Sequence, residues 1–132
     1  KAFDTVSQSH IIVALEQRGV DQHIITLIKN MYCNITTSID LKREHSEPIE
    51  INTGVKQGDP MSPILFNLSI DPLFCKLEEE GEGSQHCGEE VTAMAFADDL
   101  VLLSRSWKGM RRNISIFEAF CNLTGLKTQG EK

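Results

Sequence analysis

Two adjacent aspartates, Asp98 and Asp99, lie between two apolar runs within residues 95–103. Each run has the length and composition of a short strand, so the pair is predicted to sit at the tip of a β-hairpin. Carboxylate oxygens at such a tip suit Mg²⁺, which binds one or two carboxylates together with substrate phosphates. The pair therefore predicts nucleotidyl or phosphoryl transfer, while an ordinary Asp-Asp turn remains the alternative interpretation.

Two further segments have the character of ligand-binding loops. Residues 57–63 read Gln-Gly-Asp-Pro-Met-Ser-Pro, where Gly58 allows a close backbone approach to a ligand and the following helix start offers free amides to an anion. Residues 125–132 end with Lys132, whose ammonium group is able to bind a phosphate. A capped loop and an exposed chain end are the alternative interpretations.

The hydrophobic pattern predicts the elements that position these segments. It predicts helices near residues 7–18, 22–31, 62–77 and 107–121, and hairpins over residues 35–52 and 91–104. The order helix, helix, hairpin, helix, hairpin, helix indicates an α+β fold with helices on one face of an antiparallel sheet. Pro72 is expected to kink the third helix or to restart it.

Helix ends and buried faces follow from the same pattern. Ser7 or Ser9, Asp21 and Ser62 are expected to cap the first three helices, and Gly125 to end the last. The faces expected to be buried are Ile11, Ala14 and Leu15 in the first helix, Ile24, Leu27, Ile28 and Met31 in the second, Phe66, Ile70, Leu73 and Leu77 in the third, and Trp107, Met110, Ile114, Phe117 and Cys121 in the last.

The charge distribution does not decide the partner. A formal net charge of −6 disfavours nucleic acid at first. However, residues 77–90 hold six of the 19 acidic side chains and no lysine or arginine, and the remaining 13 acids balance 13 bases. We interpret residues 78–90 as an acidic surface loop. No apolar run approaches the ~20 residues that cross a bilayer, so no membrane partner is expected.

Together the motifs resemble the palm of reverse transcriptases, most closely those of non-LTR retrotransposons of the type-1, site-specific class. Residues 1–4 (Lys-Ala-Phe-Asp) resemble the end of the first palm motif, and residues 54–67 (Gly-Val-Lys-Gln-Gly-Asp-Pro-Met-Ser-Pro-Ile-Leu-Phe-Asn) the second. Residues 95–99 (Ala-Phe-Ala-Asp-Asp) resemble the third, and residues 125–132 the fourth. The resemblance covers essentially the whole chain and implies a partial reverse transcriptase domain over residues 1–132 with a polymerase palm-like sheet.

The resemblance implies an RNA-directed DNA polymerase, whose partners are an RNA template, a DNA primer and deoxynucleoside triphosphates. Two Mg²⁺ ions, or alternatively Mn²⁺, are the implied cofactors, and the implied location is intracellular and nuclear. It implies no oligomeric state. The roles carried over are metal ligation by Asp98 and, more weakly, by Asp99, contact of Phe3 with the nucleotide sugar, lining of the nucleotide and template pocket by Gln57 and Gly58, and assistance to pyrophosphate departure by Lys132.

One departure from the family pattern affects the expected activity. The family's first metal-binding aspartate lies three residues before Ala2, and Asp4 is not that residue. The chain begins at Lys1 without a methionine, so we expect it to be a piece of a longer protein and to be inactive alone. Residues 1–4 are expected to be the tail of a strand. The alternatives are a telomerase-type or group II maturase-type palm, and a non-catalytic retroelement relic that binds nucleic acid or protein.

Overall fold

Helices and short hairpins alternate along residues 2–41, 44–97 and 99–128, which are the residues that the computed structural model describes. The helices are α1 (Ala2–Thr5), α2 (Gln8–Gln17), α3 (Gln22–Tyr32), α4 (Ser62–Glu80) and α5 (Trp107–Thr124). The strands are β1 (Thr36–Thr37), β2 (Asp40–Leu41), β3 (Glu44–His45), β4 (Ile49–Glu50), β5 (Ser84–His86), β6 (Glu89–Val91), β7 (Ala93–Phe96) and β8 (Asp99–Leu102). The α+β class is confirmed, whereas residues 2–5 are helical rather than the end of a strand.

The predicted ends of the second and last helices hold in the structure. Asp21 caps α3, because its Oδ1 accepts the backbone N–H of His23 at 2.8 Å. Gly125 ends α5 in the left-handed conformation (φ +75°), and its N–H donates to the Cys121 carbonyl oxygen. Ser7 stands at the N-cap position of α2 but makes no side-chain cap bond.

Helix α2 buries the predicted face, but Ile28 is the only fully buried residue of the face predicted for α3. Ile25 and Ile28 are the buried residues of α3, while the side chains of Ile24 and Leu27 are 51% and 60% exposed. Apolar residues at 24, 25, 27 and 28 fit two overlapping helix faces. The packing of α3 against α2 selects the face that carries Ile25.

Helix α4 continues through Pro72, so the predicted restart is not observed. Proline removes a helix hydrogen bond and pushes on the preceding turn. In that turn the Nε2 of His10 donates to the carbonyl oxygen of Ser69 at 2.7 Å, so α2 supplies a partner near the proline. The core that joins these helices consists of Val6, Ile11, Leu15, Ile25, Ile28, Val55, Leu65 and Phe66.

The strands form four separate two-stranded antiparallel ladders: β1 with β4, β2 with β3, β5 with β6, and β7 with β8. The two predicted hairpins are confirmed, but the described strands do not join into one sheet. The prediction of a loop at residues 78–90 is also wrong, because this segment contains the last turn of α4 and the β5–β6 hairpin. Its turn residues, Cys87 and Gly88, have φ values of +51° and +90°, which suit a tight hairpin turn.

No helix within residues 2–41, 44–97 and 99–128 is long and apolar enough to cross a membrane.

The two cap positions generate a stability prediction. We expect Asp21→Ala to lower the free energy of unfolding by about 1 kcal/mol, because the His23 amide loses its acceptor. The matched control is Ser7→Ala, which removes no side-chain cap bond and is expected to change stability by only a few tenths of that amount. Urea denaturation followed by circular dichroism measures both. Equal losses for the two variants would contradict the assignment.

Candidate functional site

The last pair of the aspartate hairpin joins the end of β7 to the start of β8. Phe96 of β7 pairs with Asp99 of β8, and Ala97, which follows β7, is a turn residue. Asp99 is therefore the first residue of β8 rather than a tip residue, and its side chain is exposed. The predicted ligand Asp98 lies outside the described residues.

Ala97 makes this turn strained. Its φ of +53° is in the left-handed region, which residues other than glycine, asparagine and aspartate adopt rarely. Strain of this kind persists when the surrounding structure over-determines it, and it is concentrated at functional sites. Ala97, two positions before Asp99, thus keeps a backbone conformation that opposes its local preference.

One face of the hairpin is exposed although it is largely apolar. Because side chains alternate along a strand, Met94, Phe96, Asp99 and Val101 share one face. Phe96 is 84% exposed. Leu100 and Leu102 on the opposite face are partly buried, on the strand that packs against α5.

A single buried amide anchors the base of this hairpin. Asn113 of α5 is fully buried, and its Nδ2 donates to the carbonyl oxygens of Leu103 and Glu82, each at 3.0 Å. Its Oδ1 accepts the backbone N–H of Glu82 at 3.0 Å. These contacts, hereafter the Asn113 network, join the end of β8, the segment after α4 and the middle of α5.

Glycines leave the space that the Asn113 network occupies. A Cβ at Gly81 would lie 2.8 Å from the Oδ1 of Asn113, and one at Gly109 would lie 2.5 Å from the Cδ of Glu82. The Glu82 carboxylate accepts the Ser106 hydroxyl at 2.6 Å. Ser106 also caps α5 by accepting the Gly109 N–H at 2.9 Å. The start of α5 is therefore fixed against the residues that hold the hairpin.

This network overturns the predicted buried face of α5. The buried residues of α5 are Gly109, Asn113 and Thr124, whereas Trp107 is 74% exposed. Sequence reasoning missed Asn113 because it followed the apolar residues alone. The available signal was Gly109 and Asn113 four residues apart, since that spacing puts a small and a hydrogen-bonding residue on one helix face.

A second group of site residues lies where the N-terminal segment meets the loop before α4. The Phe3 ring stacks on Phe66 with centroids 4.4 Å apart. The Nε2 of Gln57 donates to the Oδ1 of Asp4 at 2.6 Å. The backbone N–H of Val55 donates to the carbonyl oxygen of Phe3 at 2.8 Å. We call Phe3, Asp4, Gln57 and Phe66 the Phe3 cluster.

Gly54 makes this approach possible. Its φ is +83°, and a Cβ there would lie 2.9 Å from the Cα of Asp4 and from the carbonyl oxygen of Phe3. Gly58 has a similar φ of +85°, but nothing lies within 4 Å of the position of a Cβ. Gly58 therefore serves the turn, whereas Gly54 serves both the turn and the close packing.

The loop before α4 is held by its own side chains. The Oδ1 of Asp59 accepts the N–H of Met61 at 2.8 Å, and the Ser62 hydroxyl donates to the carbonyl oxygen of Lys56. Ser62 was predicted as the cap of α4, but Met61 holds that position. The Ser62 hydroxyl instead closes the loop, on which Gln57 and Gly58 are exposed.

The C-terminal segment joins the Phe3 cluster at the far end of α5. The N–H of Ser7 donates to the carbonyl oxygen of Thr124 at 3.1 Å, and Leu126 packs against the same core as Phe3. A groove of about 520 Å³ lies beside it, lined by residues that include Cys121 and Lys127. Burial, and to a lesser degree the Glu118 carboxylate, raises the pKa of the Cys121 thiol. The predicted Lys132 lies outside the described residues.

Phe3, its neighbour Asp4 with the bonded Gln57, and residues 124–126 thus lie at one core. Asp99 is held separately, by a hairpin that packs against α5 and is anchored by the Asn113 network. Within residues 2–41, 44–97 and 99–128, no group of three or more His, Cys, Asp or Glu side chains is arranged to hold a metal ion. Asp99 supplies one exposed carboxylate of the type that a hard cation prefers.

Comparison with known proteins decides the family. Residues 1–132 match the family model described as "Reverse transcriptase (RNA-dependent DNA polymerase)". The chain belongs to this reverse transcriptase family. The resemblance predicted from the four motif segments is confirmed.

Relatives come from R2 retrotransposable elements. A Pol polyprotein from the type-1 retrotransposable element R2 of Popillia japonica is 37% identical over 134 residues, covering 100% of this chain and 19% of the relative. The corresponding protein of Nasonia vitripennis is 35% identical, covering 98% of this chain and 12% of the relative. One from the type-2 element R2DM of Drosophila melanogaster is 36% identical, covering 100% and 12%. The chain therefore spans about a fifth or less of these relatives.

Gly54 and Gly58 form a matched pair for testing the close packing of the reverse transcriptase loop. Alanine at either position should lower the free energy of unfolding by about 1 kcal/mol, because both positions have left-handed backbones. Gly54→Ala should lower it by at least about 1 kcal/mol more, because the new Cβ would also overlap the backbone of residues 3 and 4. Urea denaturation gives both values. A loss for Gly58→Ala as large as that for Gly54→Ala would argue against this packing.

Asn113 gives a second prediction. Asn113→Ala should lower the free energy of unfolding by about 3 kcal/mol, because it leaves buried backbone groups of Glu82 and Leu103 without partners. The control is Thr124→Ala on the same helix. Thr124 is equally buried, but its hydroxyl donates locally to the Phe120 carbonyl oxygen. This variant should lower the free energy of unfolding by about 1 kcal/mol. Chemical denaturation of both variants measures the difference. Similar losses for the two variants would show that the Asn113 network stabilises the protein no more than a local helix hydrogen bond does.

Proposed function

We propose that this chain forms the palm part of an RNA-directed DNA polymerase that extends a DNA primer along an RNA template. The observation that carries the proposal is the family match over all 132 residues, which includes every motif segment. It is supported by the packing of the first, second and fourth segments around one core. The R2 relatives support a retrotransposition role, for which the nucleus is the proposed location.

The proposed metal site centres on the aspartate hairpin. Asp98 and Asp99 are the residues that would hold the divalent cations, Mg²⁺ or alternatively Mn²⁺, because their carboxylates are hard oxygen donors. A bound pair of such ions lowers the barrier by stabilising charge on the attacking and leaving oxygens. We propose that a carboxylate from another part of a longer polypeptide completes the site, because a clamp of two metal ions needs carboxylates from two strands.

The other predicted residues are proposed to position the substrates. Phe3, fixed by its stack on Phe66, would contact the sugar of the incoming nucleotide. Gln57 and Gly58, exposed on a loop fixed by its own hydrogen bonds, would contact the nucleotide and the template. Lys132 would assist departure of pyrophosphate. These contacts orient the primer 3′-oxygen and the nucleotide for in-line attack, which is the main contribution of the protein to such a reaction.

RNA-templated primer extension by the longest polypeptide that carries this chain tests the proposal. Asp98→Asn is expected to slow extension by about a thousandfold, since a lost metal ligand removes several kcal/mol of transition-state stabilisation. Asp21→Asn is the control, because asparagine also caps helices well, and its extension rate should equal that of the wild type. The 132-residue chain alone should give no extension.

Each contrary result has a distinct meaning. Full extension by Asp98→Asn would reject the metal-site assignment, and extension by the isolated chain would reject the need for another carboxylate. A folded but inactive polypeptide would favour the alternative of a non-catalytic retroelement relic. Extension that requires a telomerase-type RNA or a group II intron would favour those palms.

A further inference from the structure

The first turn of α5 and the residue before its cap present a cluster of cations around an exposed indole. Arg105, Trp107, Lys108 and Arg111 are all exposed, and Trp107, the single tryptophan of the chain, is 74% exposed. We call these residues the basic-aromatic patch. The exposed indole leaves one large aromatic face free to contact a partner, with cations beside it.

The helix geometry places the patch on one side of α5. Trp107 and Arg111 are four residues apart and therefore neighbours on the helix surface, with Lys108 beside them. Gly109 and Asn113 face the opposite way, into the Asn113 network. The Ser106 cap and its bond to Glu82 fix the start of the helix, so the patch is carried by a rigid element.

The cations of the patch have no acidic side chain within ion-pair distance among the described residues. Among residues 2–41, 44–97 and 99–128, Arg105, Lys108 and Arg111 form no ion pair; the pairs present join Arg18 with Asp71, Lys29 with Glu16, and Lys76 with Glu80. No acidic residue occurs from 105 to 117. This positive surface therefore stands out on a chain of net charge −6.

We propose that the basic-aromatic patch binds single-stranded nucleic acid. Its three cations would contact phosphates, and the indole of Trp107 would stack on an unpaired base. A single strand fits better than a duplex, because the bases of a duplex are stacked on each other and present no free face to Trp107. An acidic protein segment would account for the cations but not for the exposed aromatic ring.

The patch is separate from the Phe3 cluster. The C-terminal end of α5 contacts Ser7 through the Thr124 carbonyl oxygen. Trp107 and Thr124, the first and last of the 18 residues of α5, lie about 25 Å apart along the helix. This proposal goes beyond the proposed polymerase function and does not require it, because the binding needs neither a metal ion nor a nucleotide.

The test uses the intrinsic fluorescence of Trp107 and the anisotropy of labelled 20-nucleotide strands, one of RNA and one of DNA with the same sequence. Adding either strand to the protein in EDTA, which removes free metal ions, should change both signals. Tighter binding of the RNA strand or of the DNA strand identifies the sugar that the patch prefers. Three phosphate contacts predict that log K falls with log salt with a slope of about −2. A 20-base-pair duplex should compete at least about tenfold less well, since stacking adds ~1–3 kcal/mol for an unpaired base.

Two charge-matched double variants isolate the patch. Lys108→Gln with Arg111→Gln should reduce the magnitude of the salt slope by about 1.4, which is two contacts at ~0.7 each. Lys29→Gln with Lys76→Gln removes the same charge from cations that are already paired and should leave the slope unchanged. Trp107→Ala should weaken binding by about tenfold. Circular dichroism melting checks that each variant is folded.

The proposal is overturned by any of three results. These are equal competition by the duplex, equal effects of the two double variants, or strand binding that leaves Trp107 fluorescence unchanged. Self-association that is abolished with the patch cations, without strand binding, would also overturn it and would indicate contact with the acidic residues of a second copy. Inactivity in primer extension has no bearing on these measurements.

Discussion

The arrangement of the C-terminal half depends on one buried side-chain amide. Asn113 has no exposed surface, so its polar atoms are satisfied only by the protein. They bond to the backbone of Glu82 and Leu103, and a buried polar group without partners would be strongly destabilising. The requirement for these partners therefore sets where β8 ends against α5, and the glycines at 81 and 109 follow from the space that the contacts need.

Helix α5 connects this network with the other half of the molecule. Its first turn is fixed to Glu82 through Ser106, and its last residue accepts a hydrogen bond from Ser7. The strained hairpin that carries Asp99 and the Phe3 cluster are thus attached to the same rigid element. Under the proposed polymerase function, this element would hold the proposed metal-binding and substrate-binding residues at a constant distance from each other, which catalysis by positioning requires.

Local signals in the sequence predict local structure here, and the failures are non-local. The caps at Asp21 and Gly125 and the hairpin around Asp99 depend on residues close in sequence, and they are confirmed. The prediction of the buried face fails for α3 at Ile24 and Leu27, because tertiary partners choose among several apolar faces. It fails for α5 because a polar network outweighs the apolar stripe. The bond between Asp4 and Gln57 joins residues 53 apart, which no periodicity reveals. The motif residues identify the family by their types and order, although the contacts between the motif segments do not follow from the sequence.

Native-state hydrogen exchange at the Leu103 amide tests whether the hairpin and α5 open as one unit. This amide donates to the Thr92 carbonyl oxygen across the base of the hairpin, and the Leu103 carbonyl group is held by Asn113. If the network makes the hairpin and α5 one unit, the opening free energy at Leu103 should equal that of amides in the middle of α5, such as Phe117. Exchange at Leu103 as fast as that of the turn residue Ala97 would show instead that the hairpin opens independently of α5 and that Asn113 does not join them.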